Sequence, residues 1–119
     1  MKRVALLCPD LLLGSKLEEA MRAAGHDVTR YDGEDMARAA VAEGDVLVVD
    51  LDAEQFDGSV LVESMRMGRE LDGVATIGFY SHTDQETRRR AEQAGFDLVV
   101  PRSRIAREAG DLVERVAAR

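Results

Sequence analysis

Four groups of residues in this 119-residue chain carry side chains capable of chemistry, and each lies at the end of a short apolar run. They are Cys8-Pro9-Asp10, Asp50-Leu51-Asp52, Tyr80-Ser81-His82 and Pro101-Arg102-Ser103. Asp10, Asp50 and Asp52 offer the carboxylate oxygens that a hard divalent cation such as Mg2+ prefers, so the three form a candidate metal site. Tyr80 and Ser81 offer hydroxyls, and Arg102 a guanidinium that can grip an anion through two parallel hydrogen bonds. Cys8 is a candidate redox-sensitive thiol if Arg102 lies beside it, although Asp50 opposes a thiolate there. Its expected role is a small, half-buried apolar filler. His82 is a candidate pH-sensitive contact, read here as a loop residue that helps form a turn. His26 follows Gly25 and reads as a turn residue.

Other chemistries are excluded. Two histidines this far apart give no zinc spacing, and a single cysteine allows neither an internal disulfide nor a cysteine-based zinc site. No Ser–His or Cys–His nucleophile pattern is present. The turn Cys8-Pro9-Asp10-Leu11-Leu12-Leu13-Gly14 has one glycine, so it cannot cradle a phosphate on backbone amides.

The elements that must position these groups alternate along the chain. Strands are predicted at Val4–Cys8, Val28–Tyr31, Val46–Val49, Val74–Phe79 and Leu98–Val100. Three of them are apolar on successive residues, as in a parallel sheet buried on both faces. Between them the helical period recurs. The first helix carries Leu13, Leu17, Ala20, Met21 and Ala24, with Ser15-Lys16-Leu17-Glu18 as a capping box and Gly25 as its stop. The second carries Met36, Ala39 and Ala40. The third runs from Ser59 to Glu70 with Leu61, Met65 and Gly68 on one face. The fourth, Asp84 to Ala94, opens on a capping box, Thr83-Asp84-Gln85-Glu86, and stops at Gly95. Its apolar stripe is only Thr87, Ala91 and Ala94. The fifth carries Ile105, Ala109, Leu112, Val113, Val116 and Ala117, the cleanest amphipathic pattern. Gly110 within it costs about 1 kcal/mol relative to alanine.

Five βα units with right-handed crossovers predict an α/β domain over residues 1–119. The expected form is a flavodoxin-like, doubly wound, five-stranded parallel sheet of order 2-1-3-4-5 with five helices. Ligands in such sheets bind at the carboxyl ends of the strands, where all four chemical groups lie.

The net charge is −7, from 16 basic and 23 acidic residues. That is a poor match to nucleic acid, and no apolar run approaches the roughly 20 residues of a membrane span. A cytoplasmic location is expected, without nucleic-acid or membrane partners. The charge is uneven: residues 1–80 hold 8 basic and 16 acidic side chains, while residues 81–119 hold 8 and 7. Arg88, Arg89 and Arg90 are successive on a helix, point about 100° apart and cannot form one cluster. Arg88 and Glu92 are spaced to pair.

The chain resembles the receiver domain of two-component response regulators over its full length. The likeness rests on the apolar strand Asp45-Val46-Leu47-Val48-Val49-Asp50-Leu51-Asp52 and on Ala94-Gly95-Phe96-Asp97 ahead of the last strand. It implies that Asp50 matches the aspartate that accepts a phosphoryl group from a histidine kinase. The family holds a divalent cation on two acidic residues at the end of strand 1, where this chain has Cys8 and Pro9. The family's Ser or Thr after strand 4 is matched by Tyr80, with Ser81 next. Its lysine after strand 5 is matched by Arg102, with Pro101 before it and Ser103 at the family's proline. Its aromatic switch residue in strand 5 is matched by Val99.

These departures imply an atypical or pseudo-receiver in which phosphorylation at Asp50 is impaired or absent. No output domain follows Arg119, so the resemblance implies a stand-alone, non-enzymatic protein, a monomer or homodimer, that signals through a protein partner such as a histidine kinase or an output protein. The family docks partners on the fourth helix, fifth strand and fifth helix, which makes Arg88, Arg89, Arg102 and Arg104 the candidate partner face. No cofactor is expected beyond Mg2+ at Asp10, Asp50 and Asp52. The alternative is a small flavodoxin-like ligand-binding or enzymatic domain that uses the pocket at the strand ends.

Overall fold

The structure, a computed structural model, describes residues 1–81 and 83–118; the expectation for His82 lies outside the described residues. In chain order the elements are β1 (Arg3–Leu7), α1 (Leu11–Ala23), β2 (Asp27–Tyr31), α2 (Glu34–Ala40), β3 (Val46–Asp50), α3 (Gly58–Met67), β4 (Ala75–Tyr80), α4 (Gln85–Ala94), β5 (Leu98–Pro101) and α5 (Arg102–Ala117). The strands form one parallel sheet in the order β2-β1-β3-β4-β5, as the alternation predicts. Each strand lies within one residue of its expected bounds. Among the described residues no helix is long and apolar enough to cross a membrane.

Side chains of the inner strands alternate between two cores, as the pleat requires. Val4, Leu6, Val46, Val48, Ile77 and Phe79 face α1 and α5, meeting Leu17, Met21, Ile105, Leu112, Val113 and Val116. Ala5, Leu7, Leu47 and Val49 face the other way, toward Ala37 of α2, Leu61, Val62 and Met65 of α3, and Ala91 of α4. The successive apolar residues of β1 and β3 are thus explained: both faces are covered.

Three local readings shift. The cap of α1 is Asp10, whose side chain accepts the Leu13 N–H, so Ser15 lies inside the helix. The helix therefore starts earlier and leaves Leu11 and Leu12 exposed. The cap of α4 is Asp84 rather than Thr83; its carboxylate accepts the N–H of Thr87 and the Thr87 hydroxyl. In α2 the buried residue is Ala37, while Met36 and Ala39 are exposed, because the helix is one residue out of the expected phase. His26 is in the expected turn, buried, with Nδ1 accepting the Lys2 N–H.

Two helices differ sharply in what holds them. α5 buries Ile105, Leu112, Val113 and Val116, each contributing about 1.5–3 kcal/mol of transfer energy. α4 buries only Ala91 and Ala94, whose methyl groups contribute about 0.8 kcal/mol each. It is secured at its ends, by the Asp84 cap and by Gly95 in the left-handed region at φ 101°. Arg90 adds a 2.8 Å ion pair to Asp57, the residue that caps α3.

Gly110 has a structural reason. A Cβ there would stand 2.4 Å from the Ala24 Cβ, so the glycine lets α5 approach the end of α1.

Two outcomes follow. Gly110→Ala gains about 1 kcal/mol of helix propensity but overpacks the α1–α5 contact at about 1–3 kcal/mol. The variant melts below the parent, and Ala24→Gly in the same chain restores it; a more stable single variant would mean the helices are not in contact there. In amide exchange, peptides from 85–94 exchange well ahead of those from 105–117, because local opening of α4 uncovers little apolar surface. Equal protection of the two helices would show that α4 has an anchor not seen in its packing.

Candidate functional site

Parallel crossovers bring the ends of β1 and β3 and the start of α5 to one edge of the sheet. There Asp10, Asp50, Asp52 and Arg102 line a cleft of about 370 Å³ together with Pro9, Ala53, Glu54 and Gln55. Four carboxylates share it with one guanidinium, so its charge is strongly negative.

Asp50 ends β3 and is 4% exposed. Its Oδ1 accepts the Asp52 N–H at 3.0 Å, and its Oδ2 lies 3.8 Å from the Cys8 thiol. Burial pushes its pKa up from the ordinary carboxylate value, opposed by the Asp52 amide and the nearby Arg102 charge. The cap carboxylate Asp10 titrates low, chiefly because it accepts the Leu13 N–H, with Arg102 helping. Arg102, the first residue of α5, reaches Asp10 Oδ2 at 3.2 Å through Nη2 and Asp52 Oδ2 at 3.7 Å through Nη1. Asp52 Oδ2 is buried without a hydrogen-bond partner, so the guanidinium is what faces it.

Cys8 is fully buried rather than half-buried. Its thiol is directed at the Asp10 carbonyl, 3.7 Å away, as well as at Asp50. Burial, reinforced by the Asp50 charge, pushes its pKa up to about 12. At neutral pH it is a protonated, buried filler. From β2, Arg30 bonds the Cys8 carbonyl at 2.9 Å, a tie that no spacing in the sequence signals.

The two hydroxyl candidates stand apart from this cluster. Tyr80 is 2% exposed at the end of β4, opposite Pro101, and by alternation shares the face of Thr76 and Gly78. Ser81 follows it, half-buried. Neither lines the cleft.

The expected metal trio shares the cleft without forming a ready-made metal cluster. Among the described residues no three His, Cys, Asp or Glu side chains form a group that could hold a metal ion. Asp10, Asp50 and Asp52 do share the cleft, but Arg102 reaches two of them and the side chains of Cys8 and Pro9 supply no hard oxygen. The donor set does not fit Mg2+, which requires a nearly ideal octahedron of oxygens.

The expected partner-face arginines occupy different surroundings. Arg102 belongs to the cleft. Arg89 pairs with Glu86, Arg88 reaches Glu92 at 3.7 Å, and Arg104 reaches Glu108 at 3.3 Å. Each of these three cations is paired with an acid on its own helix. The Arg90–Asp57 pair, which links α4 to the cap of α3, spans 33 residues of sequence and left no local signal. Asp45, the residue ahead of β3, is structural. It is buried and takes both an ion pair from Arg3 at 2.6 Å and the Ala42 N–H.

No family model matches the sequence, and no curated protein matches it significantly. Solved structures do. A response-regulator candidate from Chloroflexus aurantiacus superposes with a TM-score of 0.88 at 19% identity, covering 99% of this chain and 98% of that one. The chemotaxis response regulator CheY4 of Vibrio cholerae gives 0.82 at 17%, covering 98% of each chain. The BeF3-activated DrrB receiver domain gives 0.82 at 18%, covering 100% and 99%. The chain has the receiver fold.

The raised pKa of Asp50 fixes the sign of a pH effect. The folded protein holds the Asp50 proton more tightly than the unfolded chain does. Its contribution is therefore most favourable at low pH and is lost as pH rises through the folded value. Asp50→Asn, which keeps an acceptor for the Asp52 amide, melts above the parent at neutral pH. The gap narrows as pH falls toward the ordinary carboxylate range, near 4. A variant that melts lower, by the same margin at every pH, would show that the ionised carboxylate stabilises the fold.

Proposed function

We propose that this protein is a receiver-type signalling module that works through protein contact, with phosphorylation at Asp50 impaired or absent. The signalling part of this reading is supported by full-length likeness to receiver structures at TM-scores of 0.82–0.88. It is also supported by the carboxylate at the end of β3, facing a cleft at the strand ends.

The impairment is carried by one observation: the thiol of Cys8 lies against Asp50, with Pro9 next to it, where an acidic pair would hold a cation. Phosphoryl transfer to a carboxylate gathers negative charge on the phosphoryl oxygens, and a divalent cation normally offsets it. Here the incoming group would meet Asp10, Asp52 and Glu54 with, among the described residues of the cleft, only Arg102 to balance them. The hydroxyl of Tyr80 is carried at the far end of a ring on a residue that does not line the cleft, so it is a poor substitute for a short Ser or Thr. Arg102 keeps positive charge at the start of α5.

In this reading the module is a non-enzymatic, cytoplasmic protein whose output is the surface of α4, β5 and α5. The weakly anchored α4 suits a partner that binds by ordering it.

The test is incubation with acetyl phosphate at millimolar Mg2+, read by intact mass. The expected result is little or no species carrying one added phosphoryl group. Stoichiometric addition that disappears in Asp50→Asn would restore an ordinary phosphorylated receiver. For the contact role, photocrosslinking from α4 in the producing cells captures the same partner from the parent and from Asp50→Asn. Capture that depends on Asp50 would tie the output to the cleft.

A further inference from the structure

We propose that Arg102 is the resident cation of the cleft: its guanidinium takes the place of an exchangeable divalent ion, bridging Asp10 and Asp52 beside Asp50, and keeps such an ion out.

The first line of support is what the carboxylate oxygens already do. Asp10 gives Oδ1 to the Leu13 N–H and Oδ2 to Arg102. Asp50 gives Oδ1 to the Asp52 N–H and faces the Cys8 thiol with Oδ2. Asp52 turns Oδ2, buried and without a hydrogen bond, toward the guanidinium at 3.7 Å. Four of the six oxygens on these three residues thus accept from protein groups, and a fifth faces the guanidinium. A Mg2+ ion needs oxygens at about 2.0–2.1 Å in an octahedron, and would have to displace the guanidinium from Asp10 and Asp52 to assemble them.

The second line is the position of the arginine. Arg102 is the first residue of α5, and a cation at a helix N-terminus opposes the macrodipole. The placement is unfavourable unless local negative charge compensates it. Asp10 and Asp52 do so from two different loops, joining the start of α1, the end of β3 and the start of α5 through one planar group. Arginine suits this task better than lysine because its fork can serve two carboxylates at once.

The effect on Asp50 completes the argument. A free divalent ion comes and goes with its concentration. A guanidinium anchored in the chain does not, so the cleft holds one electrostatic state whatever the metal supply. This role concerns metal contact alone and does not rest on the signalling reading.

Submillimolar Mn2+, added to 15N-labelled protein, tests it through paramagnetic broadening of amide signals. In the wild type the amides of Asp10, Asp50 and Asp52 keep their intensity relative to the rest of the chain. In Arg102→Met the same amides lose most of theirs, and excess Mg2+ restores it. Arg102→Gln is the second variant and behaves likewise; the dispersed spectrum itself reports that either has folded. Arg104→Met, which removes the same charge two residues away, leaves the cleft amides sharp. Selective broadening in the wild type overturns the proposal, as does silence in both Arg102 variants. Equal broadening in Arg104→Met overturns it too, by reducing the effect to loss of net charge.

Discussion

β3 is the constraint on which the rest of the molecule depends. All five of its residues are buried, with β1 on one side and β4 on the other. A strand buried on both faces needs a helical layer above and below, and parallel neighbours need crossovers that return the chain to the same edge. Every strand then ends on one side of the sheet, and so do the loops that follow β1 and β3 and the start of α5. The meeting of Asp10, Asp52 and Arg102, up to 92 residues apart in sequence, is a consequence of that topology. No local property of any of the three segments produces it.

The same constraint makes the last residue of β3 expensive. An ionised carboxylate that is 4% exposed has lost most of its hydration, so the protein must supply donors or let the group keep its proton. It does some of each: one amide, the nearby Arg102 guanidinium and a thiol that stays protonated. The thiol matters for the packing of this end of the sheet. Cys8 shares the face of Leu6 and Val4 and is packed in their core, where an acidic residue would be a second buried charge beside Asp50. An apolar sulfur at this position adds no second charge to the buried end of the strand, which favours the fold.

The sheet was legible because its signal is redundant. Unbroken apolar runs, their spacing and the intervening helical period all point to one topology, and the register follows from the pleat. Helix starts were less legible because they turn on a choice between adjacent residues of similar chemistry. Thr83 and Asp84 can each cap; the carboxylate wins because it accepts from both the amide and the hydroxyl of Thr87. Ser15-Lys16-Leu17-Glu18 satisfies a capping pattern, yet Asp10 caps α1 with a group that Arg102 also needs, a tertiary preference invisible in the local pattern. The site was half legible for the same reason. Asp50, Asp10, Asp52 and Arg102 were recognisable as strand-end residues, but that Arg102 would lie against two of the aspartates, leaving no metal trio, depended on side-chain reach across the sheet.

The segment between β3 and α3 shows how the cleft and the surface share a physical frame. At its start Asp52 is held by Arg102, and at its end Asp57 caps α3 and is paired with Arg90 of α4. Between them Leu51 and Phe56 pack against the α2–α4 side of the core. One short loop therefore touches both the acidic cleft and the helix with the least apolar anchoring. Burial opposes ionisation of Asp57, but the Arg90 guanidinium and the Val60 and Ser59 amides hold its pKa below the ordinary value, so the cap and the tie are charged together at neutral pH. An exposed pair of this kind contributes little and weakens as salt screens it. That is small against the burial of α5 but comparable with the two alanine methyls that α4 hides. For α4, unlike the rest of the molecule, electrostatic ties and apolar packing are of the same size, and the position of the helix is correspondingly open to whatever binds beside it.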